Sequence, residues 1–535
     1  MPKMTGGQAL AKQLHREGVR VIFGLPGVQL YHALDALAEE TDIKFITTRH
    51  EQATAYMADG YSRASGGKEL GTALVVPGPG LQNASAAIGT AYAASSPIMV
   101  VAGQVERDLI GVDRGVLHEI NDQLDTIRPV TKWAQRILDP RDVPEAVHEA
   151  FYQLKSGRPR PVEIEIPPET LAEVQDVELL EPVNYQRPVA SAESVQEGAR
   201  IVANAKNPLI YAGGGVNLSG ANAALLALAE HLQAPVIETA EGKGAISDRH
   251  YLSLGVPRRI DPYHDYMAEH DVILAVGTRI QTPQILRGQR VVQIDIDEAE
   301  LGRNYENTFG IAGDAKATLE EMLKVVSSIK PAQPSREAEI QEVRDQFFGA
   351  ERELEPLHSL SNAVRAAMPD DGILVAGMTQ VGYYSRTRFP VFEPNTYLTS
   401  SYFGNLGFAY PCALGAKVAC PDKAVVAVSG DGGFMYNVQE LATAVMYGIN
   451  AVVVVFNDSA FGNVRRDQSD RFNGRIYGSE LHNPDFVKLA ESFGARGVRV
   501  GKENADELQA ALEEALNIDA PTLIEVPMGV MPYPY

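Results

Sequence analysis

Two oxygen-bearing side chains follow neighbouring apolar segments in the last third of the sequence. Asp431 stands between two glycines after the β-branched run 424–428, Asn457 follows the run 451–456, and a helix is predicted to begin near Asn437. If both runs are parallel strands, their carboxyl ends open at one edge of a sheet, where the two side chains can meet. A carboxylate, an amide oxygen and backbone carbonyls are ligands that suit Mg²⁺ or Ca²⁺. Because the glycines let the backbone approach phosphate oxygens, the pattern predicts a metal and diphosphate site rather than a plain turn.

The elements that must position these side chains repeat a pattern of apolar strand, turn and helix. The pattern restarts after two less regular stretches, residues 172–190 and 329–345, which we interpret as linkers. Continuous apolar strands that alternate with helices predict parallel sheets covered on both faces. The sequence therefore predicts an α/β protein with three doubly wound parallel-sheet domains, at residues 1–171, 190–328 and 346–535.

The composition excludes several classes of partner. The chain has 535 residues and a formal net charge of −22, which argues against nonspecific binding to nucleic acid or anionic membranes, because such binding needs a basic surface. Its longest aliphatic run, residues 451–456, is too short to span a bilayer, and the N-terminus has no apolar signal sequence. The two cysteines, Cys412 and Cys420, do not have metal-binding spacing. We therefore expect a cytoplasmic protein with no nucleic-acid or membrane partner.

Two segments together resemble one enzyme superfamily. The Gly-Asp-Gly motif, the spacer 433–456 and Asn457 resemble the cofactor motif of thiamine-diphosphate enzymes, and residues 48–63 resemble the pyrimidine-domain signature of their acetolactate synthase branch. The resemblance covers nearly the whole chain and implies pyrimidine-binding, central Rossmann-like and diphosphate-binding domains, in that order. It also implies thiamine diphosphate and Mg²⁺ as cofactors, with Glu51 as the glutamate that hydrogen-bonds N1′ of the aminopyrimidine ring.

The resemblance also assigns metal and cofactor positions residue by residue. It implies that Asp431, Asn457 and the backbone carbonyl of Ser459 are the metal ligands, and that Leu406 supports the bent form of the cofactor. The other residues expected to contact the cofactor are Pro26, Gly27, Asn83, Thr379, Gln380, Gly404, Gly430, Gly432, Gly433, Phe461 and Gly462. The family precedent implies a homodimer or homotetramer, in which Glu51 of one subunit completes the site of its neighbour.

Two departures from the family pattern affect the acceptor substrate and the flavin. Asp467 stands where acetolactate synthases carry a tryptophan that shapes the choice of acceptor 2-oxo acid. The family's flavin-contacting run is replaced by residues 276–283, in which Arg279 is the remaining candidate phosphate contact. FAD is therefore kept only as an additional candidate cofactor. The alternative is that the central domain binds no ligand.

A third departure lies in the first domain. The family's loop near the substrate is replaced by residues 113–119, which hold Arg114 and His118. A cation and a titratable imidazole could bind a substrate carboxylate and transfer a proton. Gln104, at the end of a strand that matches the family, completes the set of candidate catalytic side chains.

The leading hypothesis is a thiamine-diphosphate- and Mg²⁺-dependent lyase or carboligase acting on a 2-oxo acid. By resemblance to acetolactate synthase, it would decarboxylate the acid to an enamine and add that to a second carbonyl. One alternative is a non-ligating 2-oxo acid decarboxylase, although the His-His pair frequent in such enzymes is absent from residues 104–122. Another is a dinucleotide-dependent oxidoreductase, although the three glycines 213–215 are not a GxGxxG fingerprint. A third is a noncatalytic sensor, which would not need Glu51.

Overall fold

A computed structural model describes residues 2–257, 261–281, 288–350 and 354–533 of the chain. It divides into two compact units. The first comprises Met1–Tyr185, Ile373–Thr379 and Ser400–Val530, and the second comprises Gln186–Gly372, Gln380–Thr399 and Met531–Tyr535. The two outer predicted domains thus contribute to one unit, and the central domain forms most of the other.

The N-terminal part of the first unit is built on a six-stranded parallel sheet. The strands of this part are β1 Lys3–Thr5, β2 Val21–Gly24, β3 Lys44–Thr47, β4 Gly71–Val75, β5 Ile98–Gly103, β6 Trp133–Arg136, β7 Val162–Ile166 and β8 Val174–Asp176. Its helices are α1 Gly6–Arg16, α2 Tyr31–Glu39, α3 Glu51–Ala64, α4 Pro79–Ala93, α5 Gln123–Ile127, α6 Val143–Lys155 and α7 Pro168–Ala172. The sheet order is β3-β2-β4-β5-β7-β6, while β1 and β8 form a separate antiparallel pair. Strands β4 and β5 are buried along their whole length, as expected for a sheet covered on both faces.

The central domain is built on a five-stranded parallel sheet. Its strands are β9 Pro208–Ala212, β10 Val236–Glu238, β11 Val272–Val276, β12 Arg290–Asp295 and β13 Thr308–Ala312. Its helices, with those that follow it, are α8 Ala192–Ala203, α9 Gly214–Ser219, α10 Asn222–Leu232, α11 Asp261–Ala268, α12 Ala315–Ile329, α13 Glu337–Ala350 and α14 Leu357–Ala367. The sheet order is β10-β9-β11-β12-β13, and one apolar core joins its strands to the surrounding helices. Helix α13 spans the predicted start of the third domain at residue 346, so that boundary falls within a helix.

The last part of the chain contributes the third parallel sheet. Its strands are β14 Ile373–Ala376, β16 Val425–Gly430, β17 Val452–Asn457, β18 Arg496–Arg499 and β19 Thr522–Pro527, while the short strand β15 Tyr397–Thr399 belongs to the second unit. Its helices are α15 Gln380–Arg388, α16 Ala409–Ala419, α17 Asp431–Phe434, α18 Glu440–Tyr447, α19 Gly462–Arg471, α20 Phe486–Ser492 and α21 Ala505–Leu516. Within the first unit the order is β14-β16-β17-β19-β18, and all these pairs are parallel. The prediction of three parallel-sheet domains flanked by helices is confirmed.

The register of β16 and β17 brings the two candidate metal ligands to the same level. Gly430 pairs with Phe456, so Asp431, the first residue after β16, lies level with Asn457, the last residue of β17. The prediction of a helix beginning near Asn437 was wrong in its position. The short helix α17 begins at Asp431 itself, and the longer α18 begins at Glu440.

Helices α3 and α16 cross closely within the first unit. A Cβ on Gly60 would lie 2.0 Å from the carbonyl oxygen of Cys412, and a Cβ on Gly415 would lie 1.9 Å from that of Met57. Glycine at both positions is therefore what permits this approach. The crossing connects the helix that begins at Glu51 to the helix that follows the Leu406 loop.

Among the helices of the described residues, none is long and apolar enough to cross a membrane.

Candidate cofactor and metal site

The side-chain oxygens of Asp431 and Asn457 face one point at the carboxyl edge of the third sheet. Asn483 Nδ2 donates to Asp431 Oδ2 at 2.5 Å and to Asn457 Oδ1 at 2.9 Å. A single donor group can bind both oxygens only if they converge on it. The convergence predicted from the ends of the two strands is therefore present in the fold.

The amide of Asn457 is oriented by a buried carboxylate. Asn457 Nδ2 donates to Glu525 Oε1 at 2.8 Å, and Arg499 Nε donates to Glu525 Oε2 at 2.7 Å. Glu525 lies on the adjacent strand β19 and is 3% exposed, so this acceptor is fixed in place. Because the amide nitrogen of Asn457 donates to Glu525, its oxygen is left facing Asn483, beside Asp431.

Ser459 lies in a turn that directs its backbone towards the same region. Its φ of 52° is in the left-handed region, and its N–H donates to Asn457 Oδ1 at 3.1 Å. The carbonyl oxygen of Ser459 accepts the N–H of Leu481 at 2.8 Å, which leaves the second lone pair of that oxygen. A carboxylate, an amide oxygen and a backbone carbonyl are a donor set that fits Mg²⁺ or Ca²⁺.

Burial raises the pKa of two carboxyl groups in this region, those of Asp431 and Asp458. Burial raises the pKa of Asp431, while the hydrogen bond from Asn483 and nearby backbone N–H groups oppose the shift. Burial and the charge of Asp431 raise the pKa of Asp458 to about 6, against the opposing effect of Arg465. Two carboxyl groups close together in a half-enclosed site are a place where a divalent cation would be favourable.

The glycines of the turn 430–433 lie close to residues from other parts of the chain. A Cβ on Gly432 would lie 2.6 Å from Phe461 and 2.9 Å from Leu481, so glycine is required by packing. A Cβ on Gly430 would lie 3.5 Å from the side chain of Thr379, which therefore lies beside the motif. A Cβ on Gly433 would lie 3.7 Å from Leu406 Cδ2. Three expected cofactor contacts, Thr379, Leu406 and Phe461, thus surround the glycine turn.

Two further residues that were expected to contact the cofactor in this part of the site are Gly462 and Gln380. Gly462 allows close packing at the start of α19, since a Cβ there would lie 2.3 Å from Asp458 Oδ2. Gln380 is buried at the first position of α15, within the second unit, so its place relative to the glycine turn stays a prediction.

The loop that carries Leu406 is shaped by two glycines with positive φ. Gly404 has φ 69° and Gly407 has φ 83°, values that other residues rarely adopt. A Cβ on Gly407 would also lie 2.7 Å from Tyr436. Asn437 Nδ2 binds the carbonyl oxygen of Gly407 at 2.9 Å. The backbone thus presents Leu406, half-buried, towards the glycine turn, which suits the supporting role expected of it.

Glu51 begins helix α3 and is buried. Asn83 Nδ2, on α4, donates to Glu51 Oε2 at 3.0 Å. Oε1 has no hydrogen-bond partner among the residues that the structure describes, and a Cβ on Gly80 would lie 3.6 Å from it. The carboxyl group is therefore held by one oxygen while the other remains available to a ligand.

Gly27 and Pro26 lie in the loop after β2. A Cβ on Gly27 would lie 2.1 Å from Val76 Cγ1, so Gly27 is needed for this loop to pack on the end of β4, while Pro26 is exposed. Their contact with a cofactor stays a prediction.

The loop with Arg114 and His118 is held from two sides. The Glu119 carboxylate accepts the N–H groups of Arg114, Gly115 and Val116, which lower its pKa. Gln29 donates to the carbonyl oxygen of Leu117 at 3.2 Å and lies 3.0 Å from His118 Nδ1. His118 is therefore positioned by Gln29, whereas the Arg114 side chain is exposed.

Gln104 belongs to a buried polar cluster. Its Nε2 donates to Glu165 Oε1 at 3.1 Å, while Gln123 Nε2 donates to Glu165 Oε2 at 2.9 Å. Gln123 Oε1 also accepts the N–H of Gly78 at 2.9 Å. The side chain of Gln104 is thus engaged with Glu165, and a direct catalytic role for it stays a prediction.

The structure shows which charged residues lie next to Asp467 and Arg279, the two positions that mark departures from the family pattern. Asp467 is 40% exposed and lies 3.7 Å from both Arg466 and Arg471. Arg279 Nε lies 3.4 Å from the buried Glu300. Residues 282 and 283 of the flavin-like run lie outside the described residues.

Sequence reasoning missed three residues that support the site: Asn483, Glu525 and Glu440. Each reaches its partner from a distant part of the chain, so local spacing gave no signal. The one available hint was the turn at Asn483, where proline and then a helix-capping aspartate follow.

Three family models match successive parts of the chain. They describe the N-terminal TPP binding domain of thiamine pyrophosphate enzymes over residues 4–126, the central domain over 195–322, and the C-terminal TPP binding domain over 377–526. Because all three domains match models of thiamine pyrophosphate enzymes, the comparison argues against a dinucleotide-dependent oxidoreductase.

Known relatives match over nearly their full length. The chain is 34% identical to a probable acetolactate synthase large subunit of Methanococcus aeolicus, covering 98% of this chain and 92% of the relative. It is 33% identical to a probable 2-ketoarginine decarboxylase of Pseudomonas aeruginosa, covering 98% and 94%. It is 31% identical to the acetolactate synthase isozyme 3 large subunit of Escherichia coli, covering 96% and 93%.

Proposed function

This chain belongs to the thiamine pyrophosphate enzyme family and is an acetolactate synthase-like enzyme, and we propose that it decarboxylates a 2-oxo acid and transfers the remaining fragment to a second carbonyl compound. The observation that supports the proposal most directly is the convergence of Asp431 and Asn457 oxygens at the carboxyl edge of the third sheet. Such an edge, with glycines at the start of a helix, suits a diphosphate bound through a cation.

Thiamine diphosphate, when bound, supplies the nucleophile and the electron sink for decarboxylation. In the proposal, Asp431, Asn457 and the carbonyl of Ser459 hold Mg²⁺, and the glycine turn 430–433 leaves room for the diphosphate. Glu51 holds a proton at its free Oε1, opposite the atom that Asn83 binds. Leu406 fills the space beside the glycine turn and excludes water from it.

A substrate carboxylate would meet positive charge or hydrogen-bond donors at the first-domain loop. We assign this task to Arg114 and His118, because Glu119 binds the backbone N–H of Arg114 and Gln29 lies within hydrogen-bond distance of the His118 ring. Arg114 would bind the carboxylate electrostatically, and His118 would move a proton at its second ring nitrogen.

Decarboxylation without transfer is the second candidate function. It is favoured by Asp467, which replaces the tryptophan that shapes acceptor choice in acetolactate synthases, and by the relative named as a probable 2-ketoarginine decarboxylase. Asp467 is already flanked by two arginines, so its charge is largely compensated. We therefore keep carbon–carbon bond formation as the leading proposal.

We also propose a cytoplasmic homo-oligomer, a dimer or tetramer, in which Glu51 serves a site that includes residues of a second subunit. FAD remains an additional candidate at the central domain. Bands of flavin in the absorption spectrum of the purified protein would establish it.

The reaction type is tested by incubating the protein with thiamine diphosphate, Mg²⁺ and 2-oxo acids, singly and in pairs. The set should include pyruvate, 2-oxobutyrate and 5-guanidino-2-oxopentanoate. Carbon dioxide release together with a 2-acyl-2-hydroxy acid product supports the leading proposal. Carbon dioxide with only the aldehyde supports the second candidate, and no turnover of any 2-oxo acid contradicts both.

The role of Glu51 is tested by Glu51→Gln, with the exposed Glu69→Gln of the same domain as control. We expect Glu51→Gln to bind thiamine diphosphate but to slow exchange of its C2 proton, measured by NMR, by about a hundredfold. Exchange at the rate of the control would remove Glu51 from the proposal.

A further inference from the structure

We propose that Asn483 takes the place of the divalent cation in the metal-free protein and is displaced when the cation binds. The inference rests on the metal site of the proposed function. Asn483 Nδ2 lies 2.5 Å from Asp431 Oδ2 and 2.9 Å from Asn457 Oδ1. One partly positive NH₂ group therefore lies between the two oxygens expected to hold the metal.

The amide and the cation cannot occupy this place together. Mg²⁺ binds oxygen at about 2.0–2.1 Å, so a cation bound to both side chains must lie between them. Asn483 Nδ2 already donates to both oxygens, so its NH₂ group lies on the side where they converge. A cation there would face the hydrogen atoms of the amide, and the amide must turn away.

The backbone that carries Asn483 is anchored, so the side chain is the part that moves. Leu481 N–H donates to the carbonyl oxygen of Ser459, and Phe461 N–H donates to that of Ser479, both at 2.8 Å. After Asn483, the Asp485 carboxylate caps helix α20, and the Phe486 side chain is fully buried. The segment therefore stays against the site while rotation about side-chain bonds releases the amide.

This arrangement has opposite effects on the empty site and on the affinity for metal. Without Asn483, the Asp431 carboxylate and the Asn457 amide oxygen would each lose one hydrogen bond and keep only their backbone donors, which destabilises the empty site. The same two hydrogen bonds must be broken when the cation enters. Asn483 thus stabilises the metal-free protein and weakens metal binding.

The test measures Mn²⁺ binding, by electron paramagnetic resonance of free Mn²⁺ in the presence of thiamine diphosphate, for the wild type and Asn483→Ala. We expect Asn483→Ala to bind Mn²⁺ about tenfold more tightly, the equivalent of the hydrogen bonds no longer broken, and to melt at a lower temperature without metal. His482→Ala, at the exposed neighbouring position, should match the wild type in both measurements. Equal or weaker Mn²⁺ binding by Asn483→Ala would overturn the inference.

Two further measurements distinguish a failure of this inference from a failure of the proposed metal site. If the wild type binds Mn²⁺ no better than Asp431→Asn, the metal site itself is wrong and the inference falls with it. If Asn483→Ala does not fold, a crystal structure of the wild type with Mn²⁺ and thiamine diphosphate decides. Asn483 Nδ2 more than about 3.5 Å from both oxygens supports displacement, whereas hydrogen-bond distances to both oppose it.

Discussion

The carboxylate of Glu440 accepts the backbone N–H of Arg49, at 3.0 Å for Oε1 and 3.2 Å for Oε2. Glu440 begins helix α18 after the glycine turn, and Arg49 lies two residues before Glu51. Thr443 Oγ1 donates to the same carboxylate at 2.6 Å. A buried carboxylate of the diphosphate-binding half thus holds the backbone that leads to Glu51, within one chain.

Glu440 gives the stability of the protein a measurable dependence on pH. Burial raises its pKa from 4.5 to about 7, although hydrogen bonds from Thr443 and the backbone oppose the shift. Between these values the folded protein binds more protons than the unfolded chain, so the free energy of unfolding falls as pH rises from about 4.5 to 7. Glu440→Gln cannot titrate, and we expect it to remove up to about 3 kcal/mol of this decline.

The measurement is the free energy of unfolding by denaturant at several pH values between pH 5 and 8 for both proteins. Glu507→Gln, at the start of α21, is a suitable control because it changes a glutamate that lies outside this contact. Parallel curves for the wild type and Glu440→Gln would show that Glu440 does not titrate in this range.

Glu525 is expected to control metal affinity without touching the metal. Glu525→Leu would remove the acceptor of Asn457 Nδ2 and let the amide rotate, so its oxygen would no longer be held towards Asp431. We expect Mn²⁺ affinity to fall by about 10- to 100-fold, as for other residues that orient metal ligands. Because Arg499 also loses one of its two carboxylate partners, the other being Asp485, Arg499→Leu is the matched control and should weaken metal binding less than Glu525→Leu. Equal effects of the two variants would argue against orientation of Asn457 by Glu525.

The crossing of α3 and α16 predicts a strong steric effect at Gly415. A methyl group on Gly415 would lie 1.9 Å from the carbonyl oxygen of Met57, which is backbone and cannot yield easily. Gly415→Ala should therefore lower the free energy of unfolding by about 3 kcal/mol, measured by denaturant titration. Gly448→Ala has open space around its Cβ and only a positive φ of 62°, so it should cost about 1 kcal/mol. A smaller loss at Gly415 than at Gly448 would contradict the close crossing.

Two glutamates on β7 are expected to respond oppositely to the same substitution. Among the residues that the structure describes, neither buried carboxylate oxygen of Glu163 has a hydrogen-bond partner, and burial with the nearby Glu165 raises its pKa well above the usual value. Glu163→Leu should therefore stabilise the protein by about 1–2 kcal/mol, and more at higher pH. Glu165→Leu should destabilise it, because Gln104, Gln123 and Arg136 all bind that carboxylate. Melting temperatures of the two variants test this contrast, and destabilisation by Glu163→Leu would contradict it.

The positions of the strand ends were predictable from sequence, but the long-range hydrogen bonds of the residues at those ends were not. The β-branched runs before Asp431 and Asn457 identify buried parallel strands, and their register follows from pairing along the whole length. The helix after Asp431 was misplaced because a short helical turn at 431–434 precedes α18, and glycines carry no apolar periodicity.

Long-range hydrogen bonds explain the rest of what the sequence did not reveal. Glu525 lies 68 residues from its partner Asn457, and Glu440 lies 391 residues from its partner Arg49. Asn483 lies 26 residues from Asn457 and 52 from Asp431, so no local pattern links any of these pairs. Leu406 was assigned by the resemblance of its loop to the family, and its supporting role stays a prediction, whereas Gln104 was expected to be catalytic but is bound to Glu165. The roles of these residues in binding and catalysis remain predictions.

The central claim is that Asp431 and Asn457 hold a divalent cation for thiamine diphosphate. Calorimetric titration of thiamine diphosphate in the presence of Mg²⁺ tests it most directly, using the wild type, Asp431→Asn and Asp314→Asn. The control replaces another buried aspartate, which caps helix α12 in the central domain and can be replaced there by asparagine. The account predicts that Asp431→Asn loses at least about a hundredfold in affinity while the control keeps that of the wild type, and Asp431→Asn binding within about threefold of the wild type would contradict it.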